Sequence, residues 1–223
     1  MRFINHAVMA GALVALSVPA GAVAADNWSV GAGVGTTGYG GSVSYRFHDN
    51  LALSAGYSGF TYDGLDYESD DADYEGDFDV DVYGLTLDYF PFAGRFFLSA
   101  GAVRPDIAMS VVGRPKAGQS YEFNGETYTS DQVGTLEGDV VLGDSIQPYL
   151  GLGWRGSHKP GFGLFGQVGV FLTDAEVNLS ATGPVANDPD FQRDLQQEED
   201  DLQDDVDEFS VYPVAVVGIE YTF

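Results

Sequence analysis

The sequence predicts an all-β protein: a single eight-stranded antiparallel transmembrane β-barrel, with an extracellular helix and hairpin at one mouth. Three observations predict this. The last twelve residues alternate, with Phe223, Tyr221, Ile219, Val217, Ala215 and Pro213 on one face and Thr222, Glu220 and Gly218 on the other. A period of two is the mark of a strand with two unlike faces. Seven earlier segments alternate in the same way, and no stretch beyond the leader approaches the ~20 apolar residues a spanning helix needs. The composition, with 30 Gly, 13 Tyr, 15 Phe and no Cys, suits strands and aromatic girdles and removes cysteine chemistry. Lipid offers no partner to open backbone groups, so such strands span only as a closed barrel.

The start of the chain is predicted to be a signal peptide, residues 1–24, leaving a barrel domain of residues 25–223. Arg2 supplies the positive end, 7–18 the apolar stretch and Ala22-Val23-Ala24 the small-residue cleavage site. Loss of Arg2 leaves eight basic residues against 34 acids.

The first strand is predicted over 27–36, with Trp28, Val30, Ala32 and Val34 outward, and the second over 39–47, with Ser42, Ser44 and Arg46 inward. The third places Leu53, Ala55 and Tyr57 outward. Residues 62–77 read as an acidic loop. The fourth strand carries Tyr83, Leu85, Leu87 and Tyr89 outward and Asp88 inward. Upstream, Phe78, Val80 and Val82 take the opposite parity, which reads as a bulge or as an extension beyond the lipid. The fifth strand carries Phe96, Leu98, Ala100 and Ala102. A long connection over 104–145 contains a hairpin at 121–128 centred on Asn124-Gly125. The sixth strand faces Gln147, Tyr149 and Arg155 inward, and the seventh, 162–171, faces Gln167 inward. An acidic helix is predicted at 188–208, with Phe191, Leu195, Leu202, Val206 and Phe209 on one stripe. Short connections at 48–50, 90–94 and 156–161 alternate with long ones at 62–77, 104–145 and 173–209. That is the outer-membrane pattern, and it puts both termini in the periplasm. Trp28, Phe47, Phe90, Phe92, Phe96, Trp154, Phe162, Tyr221 and Phe223 fall at strand ends on that side, where a lipid–water boundary favours rings. A soluble β-sandwich has no reason to gather rings at one level.

The terminal Gly218, Tyr221 and Phe223 resemble the assembly signal of outer-membrane barrels, although Val216 stands where a polar residue is usual. The run from Val34 to Gly41 resembles the first hairpin of the CarO-type outer-membrane barrels. Gly56-Tyr57, Asn124-Gly125 with Tyr128, Pro148-Tyr149-Leu150-Gly151, the run from Phe165 to Val170, and Tyr212-Pro213-Val214 match that family in type and order. The resemblance implies an eight-stranded channel of a Gram-negative outer membrane that takes up ornithine and other basic amino acids. A role in carbapenem entry is also discussed for the family. The resemblance further implies recognition by the barrel assembly machinery and contact with outer-membrane lipid and lipopolysaccharide.

Two groups of residues are candidates for function. Arg46, Asp88, Gln147, Tyr149, Arg155, Gln167 and Glu220 are predicted to line the lumen. An eight-stranded barrel is about wide enough for side chains to fill it, so these form either a paired polar core or a narrow selective path. Asp63, Asp66, Glu68, Asp70, Asp71, Asp73, Glu75 and Asp77 form an acidic mouth that would gather small cationic solutes, or else a solvated acidic surface. The helix adds eleven acids. Asp71, Asp73, Glu75 and Gly76 mimic the start of a calcium loop, but Val82 occupies the position that needs a bidentate Glu, so no metal site and no cofactor is expected. Nucleic acid is disfavoured by charge. An enzyme is not expected: His6 lies in the leader, His48 and His158 in predicted periplasmic turns, and no nucleophile elbow or phosphate loop occurs.

Overall fold

The computed structural model describes residues 27–68, 72–116, 118–143, 145–156, 160–207 and 210–223. The predicted leader, Asp70, Asp71, His158 and Phe209 lie outside the described residues.

Eight strands close a ring by antiparallel pairing. They are β1 (Trp28–Gly35), β2 (Gly38–His48), β3 (Leu51–Glu68), β4 (Ala72–Tyr89), β5 (Phe96–Pro115), β9 (Gln147–Arg155), β10 (Gly161–Leu172) and β12 (Val211–Thr222). The seam is β1 against β12, with Ala32 opposite Ile219 and Gly33 opposite Gly218. Outside the ring stand β6 (Ser120–Phe123), β7 (Glu126–Thr129), the short α1 (Ser130–Val133), β8 (Leu136–Leu142), β11 (Ala175–Ala181) and α2 (Pro189–Asp207).

The predicted parity holds around the ring. Val30, Leu53, Leu85, Leu87, Leu98, Leu152, Leu164 and Ile219 are exposed on the outer face. In water such a belt would be costly; it is the surface of a barrel seated in a bilayer. Among the described residues no helix is long and apolar enough to cross a membrane. Trp28, Phe47, Phe92, Trp154, Phe162 and Phe223 are exposed near the end that carries both termini. Phe90 differs from the expectation. It follows outward Tyr89, so the pleat turns it inward, and it is buried with Ala52 and Phe97.

The opposite end departs most from the sequence reading. Residues 62–77 are largely strand, not loop: β3 and β4 run 18 residues each, about twice the 9–11 that a membrane crossing needs. Acids disfavour strands, but pairing overrides that here. Tyr67 faces Tyr74 and Phe60 lies diagonally across from Phe78, with ring centroids 6.3 and 5.4 Å apart. Asp66 opposite Glu75 puts like charges across from one another. The neighbouring β5 offsets this through Arg114 on Glu75 at 2.7 Å and Lys116 on Asp73 at 3.2 Å. β4 itself carries no bulge at Phe78, Val80 and Val82, since it pairs with β5 in unbroken register from Ala72 to Tyr89; the register shift beside Phe78 lies in the facing β3, between Tyr62 and Leu65. They stay inward while the interior changes from polar to apolar.

β5 changes partner on the way up, pairing with β9 through Val103 and with β8 from Ile107. The wall therefore continues beyond the ring as β3-β4-β5-β8-β11. Neither β8 nor β11 was legible in the sequence. The hairpin is as predicted, β6 and β7 joined by Asn124 and Gly125 at φ of 50° and 82°.

The helix is bounded almost as predicted. Asp188 caps it by accepting the Asp190 and Phe191 N–H groups at 2.9 and 3.4 Å. Among the described residues its apolar stripe is fully buried in the first half, where Phe191 and Leu195 meet Phe123 and Val133, and Val206 is half-buried. Leu202 is exposed. Further along, polar side chains cover the open edge of β11. Glu199 accepts the Leu179 N–H at 2.7 Å, and Gln203 accepts the Val177 N–H at 2.9 Å while donating to the Ala175 carbonyl at 2.7 Å. An uncovered edge strand invites pairing with another chain, and the helix removes that liability. Replacing Phe191 with Ala is expected to cost about 3–5 kcal/mol of this local packing. Limited proteolysis should then cut between Gly183 and Ser210 while the ring stays resistant. Uniform resistance would show that the helix docks without Phe191.

Tyr128 ties the hairpin to the helix by donating to Asp194 at 2.6 Å. That bond raises the Tyr128 pKa to about 12. A phenol raised above its ordinary value of ~10 stabilises the fold below pH ~10 and loses that contribution as pH rises through ~12. Difference absorbance of the wild type against Tyr128→Phe should show one tyrosine titrating near the top of that window. A phenol titrating at its ordinary value would contradict the bond.

Candidate functional site

The interior of the ring is built by alternate residues from each strand, and three inward rings are seated where the facing strands carry glycine. An added Cβ at Gly218 would lie 2.6 Å from the Phe165 ring, one at Gly153 2.5 Å from the Phe97 ring, and one at Gly169 2.3 Å from the Tyr149 hydroxyl. These glycines make room for rings. They do not widen a bore.

The centre is an ion bridge across the lumen. Arg155, at the end of β9, donates through Nη2 to Asp88 Oδ2 at 2.8 Å and faces Glu220 Oε2 from Nη1 at 3.7 Å. Asp88 is 1% exposed and fully engaged. Its Oδ2 also accepts from Ser54 at 2.5 Å, and Oδ1 accepts from Ser99 at 2.7 Å and Thr86 at 3.2 Å. Arg155 further donates to Ser44 at 2.6 Å and Ser54 at 2.9 Å, and it stands over the Phe97 ring with 5.1 Å to the centroid. So β2, β3, β4, β5 and β12 each send a side chain to the one guanidinium that β9 carries. A planar guanidinium with five N–H donors reaches acceptors on several strands at once, which suits it to span a lumen better than the compact ammonium with three.

Two cavities meet at this bridge. The larger, about 160 Å³, extends from Arg155, Glu220 and Ser54 toward Thr37 and Gly38 at the β1–β2 turn. Gly56 and Gly84 leave its wall bare, and Tyr149, donated to by Gln167 at 2.6 Å, flanks it. Above lies an apolar cluster of Val80, Val82, Val103, Ile107 and Phe171. The smaller cavity, about 30 Å³, lies toward the termini between Arg46, Phe90, Arg155, Glu220 and Thr222. Arg155 and Glu220 line both.

Of the seven residues expected in the lumen, Asp88, Arg155 and Glu220 form the bridge, and Tyr149 and Gln167 pair in the larger cavity. Arg46 sits at the terminal end, donating to the Asp49 and Gly94 carbonyls and stacking 4.0 Å over Phe90. Gln147 is buried but lines neither cavity, donating to Ser145 at 2.9 Å and Asp174 at 3.1 Å. Ser54 and Ser99 were not singled out as site residues, although their parity, opposite to Leu53 and Leu98, marks them as inward. The acidic residues Asp63, Asp66, Glu75 and Asp77 are exposed on the long β3–β4 hairpin, with Asp73 half-buried beside them. None of the described acids of that run lines either cavity. At the seam, Gly218 opposes Gly33, Tyr221 meets the Phe162 and Phe223 rings, and the Phe223 N–H donates to the Trp28 carbonyl at 3.0 Å.

No protein family model matches the sequence, and no curated protein shows significant sequence similarity to it. Solved structures do match. The crystal structure of Acinetobacter baumannii CarO aligns with a TM-score of 0.55 at 23% identity, over 87% of this chain and 97% of CarO. The crystal structure of Acinetobacter baumannii CarO2 aligns with a TM-score of 0.56 at 22% identity, over 88% of this chain and 98% of CarO2. The closed antiparallel ring of this chain is the fold it shares with these two structures.

Proposed function

We propose that this chain is an outer-membrane channel for passive uptake of small solutes, with a preference for cationic ones such as basic amino acids. One observation carries the reading: the cavity inside the ring ends on Arg155 and Glu220, and a second cavity begins on the other side of the same two residues. A solute crosses when the guanidinium moves aside, and the two carboxylates then favour a cation over an anion. The exposed acids of β3, β4 and α2 support this preference by concentrating cations within the ~8 Å that salt leaves unscreened. The periplasmic position of the termini belongs to the same proposal and rests on the short turns at that end.

Flux through purified protein in liposomes tests the proposal, comparing ornithine with glutamate at low and high salt. Ornithine should pass faster, and its advantage should shrink with salt. Gly84→Leu should abolish the flux. A Cβ at Gly84 meets nothing closer than Val103 Cγ1 at 3.5 Å, so the new side chain starts from free space on the cavity wall. Equal flux in this variant would place the path elsewhere.

A second reading has its own support. The apolar cluster above the bridge and the Phe90–Phe97 pair below it favour a closed surface barrel whose acidic segments bind cations, lipopolysaccharide or a partner. No flux above empty liposomes, from protein verified as folded, would select it.

A further inference from the structure

The central bridge is not balanced. Among the described residues, two carboxylates face one guanidinium, and Arg46 is held away from them by backbone carbonyls. The surplus falls on Glu220. Asp88 has four partners, whereas Glu220 is 5% exposed, its Oε2 stands at ion-pair distance from Arg155, and its Oε1 has no hydrogen-bond partner among the described residues. The Gly156 N–H is the other group directed at this carboxylate. A buried carboxylate oxygen without a donor costs free energy that a protein of this kind ordinarily avoids. Here it lies where the two cavities meet.

We propose that Glu220 is a luminal binding site for a primary ammonium head on a short alkyl chain. The proposal rests on the reading of the lumen as a solute path and names the group which that path recognises. An ammonium carries the one positive charge the cluster lacks, and its N–H donors supply the bond that Oε1 lacks. The space beside Glu220 is polar near Ser54 and Thr86 and apolar near Val82, Val103 and Phe171, which suits a charged head followed by methylenes. Oε1 is shielded from solvent in the closed state, so binding displaces Arg155 from Glu220. Arg155 keeps Asp88, Ser44 and Ser54 as partners during that displacement. The incoming cation takes over its role as counter-ion, so site and gate are one device. A quaternary ammonium of similar charge has no N–H to give and should not bind.

Saturation-transfer NMR on the folded full-length barrel in micelles, with propylammonium as the probe, tests this directly. The wild type should give a saturable signal and tetramethylammonium none. Glu220→Gln should weaken propylammonium binding by at least about tenfold, the scale of a lost bond to a charged group. Gly84→Leu, which leaves the charges in place and fills the space, should do the same. Folding of each variant is checked by its heat-dependent gel shift. Unaltered binding in folded Glu220→Gln, equal binding of tetramethylammonium, or no binding to the wild type would each overturn the proposal; the last two need no variant. Liposome flux separates the outcomes. A barrel that binds propylammonium and passes no ornithine keeps the site and loses the channel. One that passes ornithine while Glu220→Gln binds like the wild type keeps the channel and loses the site.

Discussion

Replacing Arg155 with alanine should unlock the lumen and weaken the barrel together. Asp88 and Glu220 would be left as buried carboxylates without a counter-ion, and Ser44 and Ser54 would lose a charged donor. Removing one partner from a buried ion pair costs about 3–5 kcal/mol. The midpoint of urea unfolding should therefore fall, while ornithine flux through the protein that remains folded should rise above wild type. Glutamate flux should stay low, because only acids remain at the constriction. Arg155→Lys should lie between the two, keeping a charge but not the fork that reaches four side chains. A variant with wild-type stability and flux would mean that the bridge neither holds the barrel nor closes it. A variant that is weakened but no more permeable would mean that the bridge is structural only.

Gly218→Val should prevent the ring from closing. A Cβ at Gly218 would stand 2.3 Å from the Ala32 carbonyl oxygen and 2.6 Å from the Phe165 ring. The carbonyl belongs to the facing strand of the seam, so relief requires β1 and β12 to part. The expected cost is at least about 3 kcal/mol, the upper range for a substitution that overfills a packed interior. Gel electrophoresis of unheated samples should show loss of the fast-migrating folded band. Gly166→Ala is the control, since its new Cβ would meet no atom closer than 3.8 Å and should leave the folded band intact. Equal behaviour of the two variants would show that the seam does not depend on that close approach.

These two sites show how much of the protein could be read from its sequence. The pleat is a strict local rule, so the alternation in 212–223 placed Glu220 inward and Ile219 outward, and in the ring Glu220 is buried and Ile219 exposed. Arg155 and Asp88 followed from the same parity. Three kinds of information escaped it. Where a strand ends depends on its neighbours: the acids from Asp63 to Asp77 weaken a strand, and only Arg114, Lys116 and the facing rings explain why β3 and β4 continue. A change of partner leaves no local trace, so the transfer of β5 from β9 to β8 near Val103 was invisible, and β8 and β11 with it. The filling of a lumen is collective. An inward glycine looks like open space until the facing strand supplies Phe165 or Tyr149. Phe90 shows the converse: it was assigned to the girdle by its level along the chain, although parity alone would have turned it inward.

The most direct measurement is the reversal potential of the wild-type barrel in a planar bilayer under a potassium chloride gradient. A potential of the sign set by potassium, weakened in Glu220→Gln, is the expected result and would establish conduction past a carboxylate-lined constriction. A potential set by chloride, or no current above the bare bilayer from verified folded protein, would contradict it.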